Sequence, residues 1–76
     1  MLEDSQKAFE DALRVAQSQG AKAFELRAAT SLARLWGERS RRAEAYDLLA
    51  PIYGWFTEGF ETGDLMEAKL LLDQLT

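Results

Sequence analysis

Apolar residues in this chain return at every third or fourth position from one end to the other, and no segment alternates apolar with polar residues. Because a helix turns once in about 3.6 residues, that spacing draws a greasy stripe down one side of an α-helix. Neither alternation nor β-branched enrichment marks a strand, so the chain is expected to be all-α. At 76 residues it is expected to form one domain over 1–76.

Four segments carry the stripe. The first, with Ala8, Phe9, Ala12, Leu13 and Ala16, predicts a helix over about 3–19, with Asp4 and Ser5 as caps or first-turn residues and Gly20 as a left-handed stop. The second predicts a helix over about 23–37 with Leu26, Ala29, Leu32, Ala33 and Trp36 inward. Ala28 and Leu35 give it a second apolar side, so it is expected to lie between neighbours. Gly37 to Arg41 then reads as a polar turn opened by a helix breaker. A third helix is expected over about 41–56, with Ala45, Leu48, Leu49, Ile52 and Tyr53 inward. Pro51 interrupts it, and because Ile52, Tyr53 and Phe56 continue the stripe, a kink is expected there and not an end. After the glycine-bearing stretch 57–63, Asp64 and Glu67 fit a capping-box variant before a fourth helix over about 64–75. Its inward residues are Leu65, Ala68, Leu71, Leu72 and Leu75. Short connections make such helices antiparallel neighbours.

Composition removes several kinds of chemistry. The chain has no cysteine and no histidine, which excludes disulfides, thiolate zinc sites, cysteine nucleophiles and imidazole bases. No apolar run approaches the ~20 residues of a membrane span, and the first residues lack a secretion signal's basic flank. A cytoplasmic protein with no membrane partner is expected. A domain this small buries only about 60% of its unfolded surface, and with no disulfide available its remaining support is association.

The charged and aromatic residues are the candidates for a working surface. Glu58, Glu61, Asp64 and Glu67 cluster near the last connection, but their spacing is not that of a calcium loop, and capping with helix-dipole complementarity accounts for them. Residues 22–42 carry a net charge of +4, against −2 before and −6 after. Arg39, Arg41 and Arg42, with Arg34, either grip a phosphate or acidic peptide or form a solvated turn. A total charge of −4 argues against nucleic acid as a partner. Trp36, Tyr53 and Phe56 are expected in the core, whereas Tyr46, Trp55 and Phe60 flank the interrupted helix end and are candidates for an interaction surface.

Leu32-Ala33-x-x-Trp36 followed by Ala45-Tyr46-x-x-Leu49 resembles a tetratricopeptide repeat, with a large–small pair and an aromatic on one helix and a small residue early on the next. Phe9, Ala12 and Leu13 resemble the second helix of a preceding repeat. Ile52 stands where that family prefers alanine, Pro51 sits earlier than its proline, and Ser40 replaces its inter-helix glycine. The runs Glu25–Trp36 and Ala45–Phe60 also resemble the carboxy-terminal end of large bacterial signalling proteins that carry a cyclase or DNA-binding module and an ATPase. Neither catalytic module is present in this chain. The resemblance implies about one and a half helical hairpins plus a capping helix, and an interaction role. The expected function is thus a non-catalytic module of protein–protein interaction or self-association, with no cofactor. The alternative is a small regulatory ligand- or phosphate-binding domain using the aromatic segment and the arginine turn. Since terminal repeats of a solenoid need polar outer faces, helix one is expected to need cover at Phe9 and Leu13. A second copy, or the upstream part of a longer protein, would supply it, and helix four would serve as the polar far cap.

Overall fold

The computed structural model describes residues 2–56 and 63–76. Four α-helices follow one another, α1 (Leu2–Gln19), α2 (Lys22–Glu38), α3 (Arg42–Trp55) and α4 (Gly63–Leu75), and no strand occurs among the described residues. The chain is all-α, built of antiparallel helical hairpins, and every helix lies within one or two residues of its expected bounds. Phe60, Glu58 and Glu61 lie outside the described residues.

The packing order makes α2 the centre. It contacts α1, α3 and α4, and α3 also contacts α4, but among the described helices α1 packs on α2 alone. Both apolar sides of α2 are used: Leu26, Ala29, Leu32 and Ala33 are at most 2% exposed, and Ala28 is buried on the other side. Ala45 and Leu49 of α3, and Leu65, Ala68, Leu71 and Leu72 of α4, complete the same core. The alanines at contact points bring the helix backbones close. Helices joined in this sequence form an open slab, 35 × 29 × 18 Å, and not a closed bundle.

The first two connections use one turn geometry. Gly20 adopts the left-handed conformation at φ +67°, Ala21 N–H donates to the Ala16 carbonyl at 2.9 Å, and Gly20 N–H to the Gln17 carbonyl at 3.3 Å. This pair of bonds satisfies carbonyls that the end of a helix would otherwise leave unpaired. After α2 the same bonds recur, from Arg41 N–H to Trp36 O at 2.9 Å and from Ser40 N–H to Gly37 O at 3.3 Å. Here the left-handed residue is Ser40, at φ 62°. The expectation that Gly37 opens the turn is therefore corrected. Gly37 is helical, and its missing side chain matters for packing, since a Cβ there would lie 3.1 Å from Leu75 Cδ2.

Two further expectations change. Asp64 does not cap α4, because the helix already includes Gly63; it lies in the first turn, where a carboxylate favours the positive end of the helix dipole. Nor does α4 present a polar outer face, for Met66 and Leu70 are 55% and 63% exposed. Pro51 does not end α3, which continues through it to Trp55.

Candidate functional site

A groove of about 670 Å³ lies between α1 and α2. Residues 9, 12, 15 and 16 recur at helical spacing along one wall, and residues 24, 28 and 31 along the other. Ala16 and Ala28 are buried and form the floor, while Val15 and Phe24 stand on the walls 53% and 64% exposed. Phe9 is half-buried against the core. Side chains left about half in water forgo roughly half of the ~1.5–3 kcal/mol that full burial would give each. Asp11 borders the α1 wall and Arg27 the α2 wall. Leu13, expected to need cover from outside, is already buried in the chain's own core; Ala8 and Ala12, expected inward, are exposed.

A second, smaller depression of about 430 Å³ lies where Tyr53 of α3 meets Met66, Lys69 and Leu70 of α4. Both depressions are bordered by exposed apolar side chains, Val15 and Phe24 at the first and Met66 and Leu70 at the second.

The arginines of the second turn do not converge. Arg39 donates to Gln6 Oε1 at 2.7 Å, reaching back to α1. Arg42 donates to the Gln74 carbonyl at 2.8 Å in the last turn of α4, where a cation complements the dipole. Arg41 grips Glu44 with two bonds, at 3.1 and 2.6 Å, and its guanidinium lies 4.5 Å from the Trp36 ring centroid. The Arg41 hydrogen bond holds the Glu44 carboxyl below its ordinary range, and the same bond raises the arginine. Trp36 packs against the core beneath this roof, with Nε1 buried and without a hydrogen-bond partner. Arg27 and Arg34 of α2 face Asp64 and Glu67 of α4, so these two carboxylates meet cations across the helix pair. Among the described residues no group of three or more carboxylates is placed to hold a metal ion.

The aromatic candidates lie apart from the groove. Trp55 is 57% exposed at the end of α3, edge-on to Phe56 at 5.1 Å, with Lys22 Nζ 5.1 Å from its ring centroid. That ammonium is also 3.4 Å from Glu25 Oε1, and Gln17 Nε2 donates to Glu25 Oε2 at 3.4 Å. Glu25 is buried, a charged core position that the apolar periodicity could not single out. Tyr46 is exposed on α3. The groove's two exposed walls also escaped the sequence reading. Phe24 precedes Ala28 by one helical turn and extends the second apolar side of α2, which is the signal that marks it.

No helix of the described residues is long and apolar enough to cross a membrane. Comparison with protein-family models, with curated protein sequences and with solved structures finds no match for this chain.

Proposed function

We propose that the chain is a non-catalytic protein–protein interaction module of tetratricopeptide type, and that the α1/α2 groove is its docking surface. The observation that carries this reading is the pairing of Val15 and Phe24, exposed on facing walls of an apolar trough at the one helix with a single neighbour. A trough with alanines on its floor and large side chains on its rims accepts an apolar helix ridge. In the bacterial signalling context that the sequence resemblance implies, such a surface joins regulatory chains.

The double substitution Val15→Lys with Phe24→Glu tests the reading. Sedimentation equilibrium at ~100 μM is expected to show the unsubstituted chain associated and the variant monomeric, with the helical circular-dichroism signal unchanged. An unsubstituted chain that remains monomeric, or a variant that associates equally well, overturns the reading.

A further inference from the structure

We infer that the trough is filled by α4 of a second copy, so that copies join head to tail. This rests on the proposed reading of the groove as a docking surface and names what docks there. Among the described residues, exposed large apolar side chains gather in two places, Val15 with Phe24 at the trough and Met66 with Leu70 on α4; the other two, Tyr46 and Trp55, belong to α3. Within one chain the two patches leave each other uncovered, and α1 does not pack on α4.

Their shapes match. Met66 and Leu70 are four residues apart and stand about one turn from each other, a short ridge of the kind that fills the groove between two helices. Among the described residues no other helix bears two exposed large apolar side chains so spaced. The trough has Ala16 and Ala28 on its floor and the exposed Ala12 on its α1 wall, small side chains that let a third helix come close. Packing order supplies the position. Helix α2 packs on α3, which follows it, and on α4, the next helix again, whereas α4 packs only on the two helices that precede it. Setting α4 of one copy between α1 and α2 of the next repeats the step that α2 makes onto α3 and α4.

Charge fixes the direction. At about 3.6 residues per turn, Lys69 flanks one side of the Met66–Leu70 ridge and Glu67 the other. Asp11 borders the α1 wall of the trough and Arg27 the α2 wall. With Lys69 over α1 and Glu67 over α2, each rim meets its opposite sign; turning α4 end for end sets Glu67 beside Asp11 and Lys69 beside Arg27. Arg27 and Glu67 keep their in-chain partners with side chains 61% and 53% exposed, so charge orients the contact and apolar burial holds it. The contact is short. Helix α1 lines the trough from Phe9 to Gln19, about 15 Å at roughly 1.5 Å per residue, so each link belongs with weak, reversible contacts.

Because the two surfaces differ, one copy binds another at each of them and association runs on past the dimer. Complementation tests this by sedimentation velocity and native mass spectrometry at about 200 μM. Val15→Lys/Phe24→Glu spoils the trough and keeps the ridge, whereas Met66→Lys/Leu70→Glu spoils the ridge and keeps the trough. Each variant alone is expected to be monomeric, and the unsubstituted chain to exceed the mass of a dimer. Mixed in equal amounts, the variants form a one-to-one heterodimer that grows no further, with an affinity within about threefold of a link between unsubstituted copies. If the unsubstituted chain associates and the trough variant does not, yet the ridge variant associates as the unsubstituted chain does, another part of the partner fills the trough. That outcome overturns the assignment of α4 while the groove remains the docking surface. Two monomeric variants with unchanged helical circular dichroism, whose mixture stays monomeric, overturn it equally. A monomeric unsubstituted chain overturns both the assignment and the reading beneath it.

Discussion

Helices α1 and α2 are of nearly equal length and both carry an apolar stripe, yet they hold opposite positions in the molecule. Helix α2 is covered by three neighbours, and its Leu26 and Leu32 are almost fully shielded from water. Helix α1 has one neighbour; its inward residues Leu13 and Ala16 are buried, while Val15 and the adjoining wall of the trough face outward. The difference lies in cover: most of the buried core belongs to α2, α3 and α4, and under the proposed function the half-covered helix is the one that would meet a partner.

The strongest way to sharpen that contrast is to remove the same kind of packing from each side. Leu26→Ala, at a core site 1% exposed, is expected to cost about 3–4 kcal/mol. Val15→Ala removes a side chain that is half in water and is expected to change stability by less than about 0.5 kcal/mol. Urea denaturation followed by circular dichroism, at a concentration where the chain is monomeric, reads both. Equal losses would mean that α1 is as deeply integrated as α2.

The two turns that flank α2 offer a smaller but cleaner comparison, because they share hydrogen bonds and differ in the residue at the left-handed position. Ser40→Gly relieves the steric cost of a side chain at φ 62° and is expected to raise stability by about 0.5–1 kcal/mol. Gly20→Ala imposes that cost, and as nothing lies within 4 Å of the new methyl, the expected loss of about 1 kcal/mol is purely conformational. Opposite shifts of roughly 4–8 °C in Tm for each kcal/mol are expected for a domain of this size. Shifts of the same sign would break the equivalence of the two turns.

These same turns mark how far the fold was legible in the residues. Helix positions followed from periodicity, because burial on one face of a helix leaves a spacing that nothing else produces. Gly20 was readable as a stop, since glycine beyond the last apolar residue fits the left-handed cap. The second turn misled, because Gly37 serves close contact with Leu75 and the left-handed position went to a serine, a choice that propensity does not favour. Asp64 looked like a cap because the carboxyl–Glu67 spacing fits one, but the helix begins a residue earlier and both acids turn to arginines of α2. The outward placement of Phe24, Val15, Met66 and Leu70 was hidden for a different reason. Sequence spacing says which residues share a face, but whether that face has a neighbour is settled by packing order, and α1 proved to have only α2. Leu13 and Phe9 were read together as needing cover, although a single helical step separates a core position from the edge of the trough.

Amide hydrogen exchange at two protein concentrations tests most directly whether α1 is the helix left for a partner. Between about 2 and 200 μM, protection is expected to rise along α1, over the first two turns of α2 that wall the trough and along α4, while α3 exchanges at the same rate in both samples. Identical exchange at both concentrations, or added protection confined to the Met66–Leu70 side of α4, would contradict the account.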